Sequence, residues 1–70
     1  MKGSVSNNVA ALRNEKKVTQ EEMAQGLQIT RQTIIAIEKG NYTPSVLLAL
    51  KIARYFGKPV EEIFTYKEEM

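Results

Sequence analysis

The stretch TQEEMAQGLQITRQTIIAIEK, residues 19–39, decides the fold of this 70-residue chain. Thr19 predicts a helix start, because its hydroxyl can accept from one free backbone N–H while the carboxylate of Glu22 accepts from another. Thr30 predicts the start of the next helix in the same way. Since only one tight turn fits between Leu27 and Thr30, the sequence predicts two helices joined by a short turn.

The apolar residues of this stretch predict how the two helices cross. Met23, Ala24 and Leu27 repeat at helical spacing, and the small Ala24 allows a close approach. Ile34 and Ile37 then hold the crossing from the other side. This packing leaves an outward face on the second helix of the pair, and that face carries Arg31, Gln32, Thr33, Ala36 and Lys39.

Three further helices are predicted by the capping residues. Ser6 is the expected N-cap of a first helix that runs to about Lys16, with Val9 and Leu12 on its inner face. Gly40 is expected to end the third helix in the left-handed conformation. Ser45 opens a fourth helix that Gly57 ends, and Pro59 opens a short fifth with Glu61 and Glu62 in its first turn. The predicted buried stripe of the fourth helix is Val46, Ala49, Leu50, Ala53 and Phe56.

The two ends of the chain predict a weaker element. Phe64-Thr65-Tyr66-Lys67 alternates apolar and polar residues, which is typical of a short strand, and Val5 can pair beside it. The expected fold is therefore all-α, with five helices and a short strand pair from the two termini. We expect one domain over residues 1–70, with residues 1–5 and 67–70 flexible or strand-like.

The composition limits the function classes. The chain has no Cys and no His, so we expect no disulfide, no structural zinc site and no cofactor. A catalytic site is not expected either, because the chain also lacks Trp and a phosphate-binding Gly loop and has little volume for a substrate cavity. No apolar run is long enough for a membrane span. A core this small favours well-capped helices or a dimer as the source of stability.

The charges are unevenly distributed along the chain. Residues 1–58 carry nine Lys or Arg and four Glu, whereas residues 59–70 carry one Lys and four Glu. A basic body with an acidic end suggests one face for an anionic polymer. Chance sorting in so short a chain explains the same asymmetry.

The outward face of the third helix has the chemistry of base recognition. Arg31 offers a fork to guanine, Gln32 can pair bidentately with adenine, and Thr33 can contact a phosphate or a thymine methyl. Each of these is ordinary as a single surface residue. Clustered at the N-terminus of the second helix of a helix-turn-helix, they predict contact with the major groove of DNA.

Several blocks of sequence resemble the XRE family of phage repressors and Cro. The blocks are Thr19–Ala24, Thr30–Ile34, Ile37–Gly40, Pro44-Ser45, Ala49–Ala53 and Glu61–Phe64. The resemblance covers roughly residues 8–66. It implies a five-helix transcriptional regulator, more often a repressor, that binds a near-palindromic operator as a homodimer in the cytoplasm of a prokaryote or in a phage-type system.

The resemblance and the residue chemistry together give the expected contacts. Base contacts are expected from Arg31, Gln32, Thr33 and Ala36, although a methyl group at Ala36 can only touch a thymine methyl or leave room. Phosphate contacts are expected from Gln20, Thr30, Lys39, Asn41, Tyr42 and Thr43. Candidates for a dimer interface are Val60, Ile63, Phe64 and Tyr66, for which a place in the core is the alternative.

Three departures from the family pattern keep other outcomes open. Gln28 stands in the turn where Gly is usual, Gly26 falls inside the second helix, and Lys17 replaces a common Gly. Ile35 and Leu47 are apolar where polar residues are usual. They are either isolated exposed residues or part of a contact with another protein. The rival hypothesis is therefore a protein-interaction module, such as the DNA-binding half of an antitoxin or a sensor adaptor.

Overall fold

The computed structural model describes residues 2–69. Within these residues five helices pack around one core, and two terminal strands pair beside the helices. The elements are β1 (Lys2–Asn7), α1 (Val9–Lys16), α2 (Gln20–Leu27), α3 (Arg31–Glu38), α4 (Val46–Phe56), α5 (Val60–Ile63) and β2 (Phe64–Glu69). The predicted five-helix class is confirmed, and so is the strand pair. No helix within residues 2–69 has the length and hydropathy needed to cross a membrane.

The strands β1 and β2 are antiparallel, and Val5 lies beside the predicted strand, opposite Tyr66. The ring of Tyr66 packs over Gly3, in space that a Cβ atom at that position would enter. The Asn7 side chain donates to the carbonyl of Ile37 at 2.9 Å and so ties the end of β1 to α3. The sheet thus connects both chain ends to the helical core.

The predicted start of α1 is wrong. Ser6 lies in β1, opposite Thr65, and the helix begins at Val9. The first free amide of the helix, that of Val9, donates to Oδ1 of Asn7 at 3.1 Å. Strand pairing takes Ser6 out of reach of the helix, and Asn7 provides the acceptor instead.

The predicted caps of α2 and α3 are confirmed. Thr19 and Glu22 form the capping box, with N···O distances of 3.0 Å and 2.8 Å. Thr30 Oγ1 accepts from the amide of Thr33 at 3.2 Å. Gln28, which ends α2, has φ 60° and ψ 42°, so the turn keeps the left-handed geometry without a glycine.

The core confirms the inner faces of α1, α2 and α3 but corrects that of α4. The buried apolar residues are Val9, Leu12, Met23, Ala24, Leu27, Ile34, Ile37, Leu48, Ile52, Ala53 and Ile63. Of the predicted α4 stripe, only Ala53 is buried; Ala49 and Phe56 are half-buried, whereas Val46 and Leu50 are exposed. Leu48 and Ile52 face the core instead, so the observed buried stripe is rotated relative to the predicted one. The spacing did not distinguish the two, because α4 is apolar on nearly every side in its first turns.

Replacing Gln28 with glycine is expected to stabilise the fold. A left-handed non-glycine residue costs about 1 kcal/mol, so Gln28→Gly should raise the free energy of unfolding by up to about that amount. Gln25→Gly is the matched control, because Gln25 is exposed within α2 and the same change there should lower stability by about 1 kcal/mol. Urea unfolding of the three proteins measures both effects, and equal destabilisation by both changes would contradict the assigned strain.

Candidate nucleic-acid interface

The outward face of α3 is available to a ligand. Ile34 and Ile37 are 0% exposed and fix the inner face of the helix. On the opposite side Arg31 and Gln32 are exposed, and Thr33 and Ala36 are half-buried. All four predicted base-contact residues are therefore at least partly accessible along α3.

A shallow groove of about 470 Å³ separates the N-terminus of α2 from that of α3. It is lined by Arg13, Thr19, Gln20, Glu21 and Arg31. The groove thus brings Gln20, a predicted phosphate contact, to the same surface as Arg31.

A second shallow groove, of about 270 Å³, lies along the other side of the α3 face. Its lining residues are Thr30, Gln32, Thr33, Ala36 and Tyr42. Tyr42 is 45% exposed and belongs to the loop between α3 and α4. The loop therefore extends the recognition surface beyond α3 itself.

Glu38 connects three elements at the end of α3. Its carboxylate accepts from Nε of Arg13 at 2.7 Å, from Nη2 of Arg13 at 3.3 Å and from Nε2 of Gln20 at 3.0 Å. Arg13 also donates to the carbonyl of Val18 at 2.9 Å. The hydrogen bond to the Glu38 carboxylate raises the pKa of Arg13. The network holds the Gln20 amide in one position at the edge of the recognition surface.

Sequence reasoning missed this network, although a signal for it was present. Glu38 lies four residues after Ile34 and Arg13 lies four residues after Val9, so each side chain starts on an inner helix face. A charged residue on an inner face needs a partner of opposite charge. Two such residues on neighbouring helices therefore predict an ion pair.

The remaining candidates for phosphate contacts lie on two different parts of the surface. Lys39 and Asn41 are exposed, and the amide of Asn41 already donates to the carbonyl of Ala36 at 2.9 Å. Thr43 instead lines a groove with Gly3, Ser4, Val5 and Tyr66, beside the sheet and separate from the α3 grooves. We therefore leave Thr43 out of the proposed contact set.

The dimer candidates also divide. Ile63 is 1% exposed and enclosed by the core of its own chain, which is the alternative that the sequence left open for it. Val60 and Phe64 are half-buried against that core, and Tyr66 is 59% exposed.

The largest apolar exposure lies on α4, where sequence reasoning expected core. Val46 is 77%, Leu47 70% and Leu50 56% exposed; these three residues are the α4 outer face. Leu47 is thus not isolated, whereas Ile35 is half-buried and does not extend the surface. Because a small monomer rarely exposes several large apolar side chains together, this face is a candidate for a protein contact.

Removing the charge of Glu38 is expected to destabilise the fold. Its side chain is 8% exposed and that of Arg13 14%, so Glu38→Gln leaves a poorly solvated guanidinium without its counter-charge. We expect the free energy of unfolding to fall by about 2 kcal/mol. The exposed Glu15 on α1 is the matched control, and Glu15→Gln should change stability by less than about 0.5 kcal/mol. Chemical denaturation giving the same value for both variants would contradict the structural role of the network.

Comparison with known proteins gives a consistent result. The profile of the helix-turn-helix family matches residues 9–63. An uncharacterised helix-turn-helix transcriptional regulator of Methanocaldococcus jannaschii is 48% identical over 65 residues, which are 93% of this chain and 98% of that protein. The cryptic phage CTXphi transcriptional repressor RstR of Vibrio cholerae is 33% identical over 63 residues, which are 90% of this chain and 57% of the repressor.

The fold comparison adds a solved structure. A crystal structure from Bacteroides fragilis, provisionally named as a DNA-binding protein, superposes with a TM-score of 0.78. It covers 87% of this chain and 98% of its own, at 18% identity, which is a similarity of fold.

Proposed function

The chain belongs to the XRE-type helix-turn-helix family of transcriptional regulators, a non-enzymatic class whose partner is DNA. From this premise we propose that the protein is a repressor that binds a near-palindromic operator as a homodimer. In this proposal α3 enters the major groove of DNA. The protein acts in the cytoplasm, at the nucleoid. Phosphate contacts set the register of the protein on the duplex, and base contacts choose the sequence.

The observation that carries the DNA proposal is the accessibility of Arg31, Gln32, Thr33 and Ala36 along α3, in the two grooves that border this helix. Arginine and glutamine are the side chains that pair bidentately with guanine and adenine. Both lie in the first turn of α3, which is the end that enters the groove in this motif. Around them, Gln20, Thr30, Lys39, Asn41 and Tyr42 are the proposed phosphate contacts.

Support for a dimer comes from the exposed apolar surface. The α4 outer face begins three residues after Thr43, which lines a groove with Val5 and Tyr66. We infer that a second copy covers the α4 outer face together with Tyr66 and the half-buried Val60 and Phe64. A two-fold dimer would place its two α3 helices in successive major grooves, about 34 Å apart.

Selection of bound duplexes from a random DNA pool tests sequence-specific binding. We expect one enriched motif, and a pool that stays random after several rounds would contradict the proposal. Placing the enriched site across a promoter that drives a reporter then tests repression. Expression should fall when the protein is present, whereas a rise would make it an activator.

The rival class, a module whose main partner is another protein, is supported only by the α4 outer face. A stable complex with a co-expressed protein together with no enriched DNA motif would favour it. A protein partner bound in addition to DNA is compatible with the proposed function.

A further inference from the structure

The groove between α3 and the following loop has an unusual composition for a DNA-facing surface. All five of its lining side chains, those of Thr30, Gln32, Thr33, Ala36 and Tyr42, are uncharged. A phosphate group would meet no cation there. The groove is therefore better suited to part of a base than to the backbone.

Its volume depends on a small residue. Ala36 and Thr33 are half-buried and lie one helical turn apart on the outward face of α3. The Ala36 side chain is a single methyl group, and a longer side chain would fill the groove. Position 36 thus provides room in which an apolar group of the ligand can be enclosed.

Two of the lining residues, Thr30 and Thr33, are hydrogen-bonded to each other. Thr30 Oγ1 and Thr33 Oγ1 lie 2.9 Å apart, within hydrogen-bond distance, and Thr30 Oγ1 also accepts from the Thr33 amide at 3.2 Å. This pairing uses one of the two hydroxyl hydrogens, so the two side chains offer their methyl groups and one remaining hydroxyl donor. Tyr42 lines the same groove, and its exposed aromatic side chain supplies apolar surface.

We propose that this groove binds the C5-methyl group of a thymine, with Ala36 giving the space and Tyr42 forming a wall. The inference rests on the proposed function, because it names a base that the same α3 face reads. Thymine is the only standard base with a methyl group in the major groove. Tyr42 is then a specificity-determining residue that contacts a base, in place of the phosphate contact expected from its position in the loop.

Deoxyuridine substitution tests the proposal on the duplex selected from the random pool. Each thymine is replaced in turn by deoxyuridine, which removes only the C5-methyl group, and the dissociation constant is measured by fluorescence anisotropy. We expect one thymine in each half-site to matter, with about fourfold weaker binding for one replacement and about fifteenfold for both. All other replacements should change binding by less than twofold.

Variants of Tyr42 identify the wall of the groove. With Tyr42→Ala the deoxyuridine penalty should vanish, whereas Tyr42→Phe, which keeps the ring, should retain it. Lys39→Gln is the matched control: it should weaken binding to every duplex and leave the penalty unchanged. Thermal unfolding checks that Tyr42→Ala is folded, as expected for an exposed loop residue.

Three outcomes separate the inference from the proposed function. An enriched motif with no thymine sensitive to deoxyuridine contradicts the methyl site and leaves the proposed function standing. A penalty that persists unchanged in Tyr42→Ala contradicts the role of Tyr42. A pool that stays random contradicts the proposed function and the inference with it.

Discussion

The variant Leu50→Glu should be monomeric at micromolar concentration and should bind the selected duplex at least about 100-fold more weakly than the parent protein. Leu50 is 56% exposed on α4, so the substitution removes little from the core of the chain. In a two-fold dimer it removes two apolar contacts and buries two carboxylates near each other. Each of these effects costs about 1–3 kcal/mol, and 1.4 kcal/mol corresponds to a factor of ten.

Sedimentation velocity measures the oligomeric state of Leu50→Glu, and anisotropy measures its DNA affinity. Asn14→Glu is the matched control, because it adds the same charge at an exposed position of α1. The control should remain dimeric. A dimeric Leu50→Glu would show that the α4 outer face is not the interface, and Tyr66→Glu would then test the surface beside the sheet.

Gln32→Ala has the second large expected effect. We expect a loss of about 1–3 kcal/mol for each half-site on the selected duplex, together with relaxed preference at one base pair, because the bidentate pairing with a base is removed. Binding to a duplex of random sequence should not change. The free energy of unfolding should also stay within about 0.5 kcal/mol, since Gln32 is exposed.

Anisotropy titrations of Gln32→Ala on the selected and the random duplex, at one fixed salt concentration, measure this difference. Lys39→Gln serves as the comparison, because a lost phosphate contact should weaken both duplexes alike. Equal losses for Gln32→Ala on the two duplexes would assign Gln32 to the backbone and not to base recognition.

The helix-turn-helix was predictable because its determinants are local. Thr19 with Glu22, and Thr30 alone, mark the two helix starts within a few residues of sequence. Ala24, Ile34 and Ile37 then leave one way for the helices to cross. The turn between the two helices keeps its geometry even without glycine, because Gln28 adopts the left-handed conformation that the turn requires.

The orientation of α4 was not predictable from apolar spacing alone. Val46 to Leu50 are all apolar, so more than one face of the helix satisfies the helical period. Arg54 carried the missing signal, because the residues opposite it on the helix are Leu48 and Ile52, which the structure buries. In α4, where the apolar run leaves several faces open, the charge of Arg54 therefore identifies the solvent side.

The sequence predicted which side chains form the candidate site, but it did not predict the long-range contacts that hold them in position. The residues of the α3 face follow from helical spacing once Ile34 and Ile37 are assigned to the core. The anchoring of Gln20 by Glu38 and the position of Tyr42 beside Ala36 join residues that are far apart in sequence or in a loop. Contacts of this kind depend on how the helices and loops pack, which local patterns do not specify.

The central claim is that α3 reads DNA sequence in each half of a two-fold dimer, and random-pool selection with Arg31→Gln tests it most directly. Arg31 is exposed at the start of α3, so the substitution exchanges a guanine-pairing side chain for one that pairs with adenine. We predict that the enriched motif changes at one base pair in each half-site, at two positions related by two-fold symmetry, and is unchanged elsewhere. A motif identical to that of the parent protein, or one without two-fold symmetry, would contradict the claim.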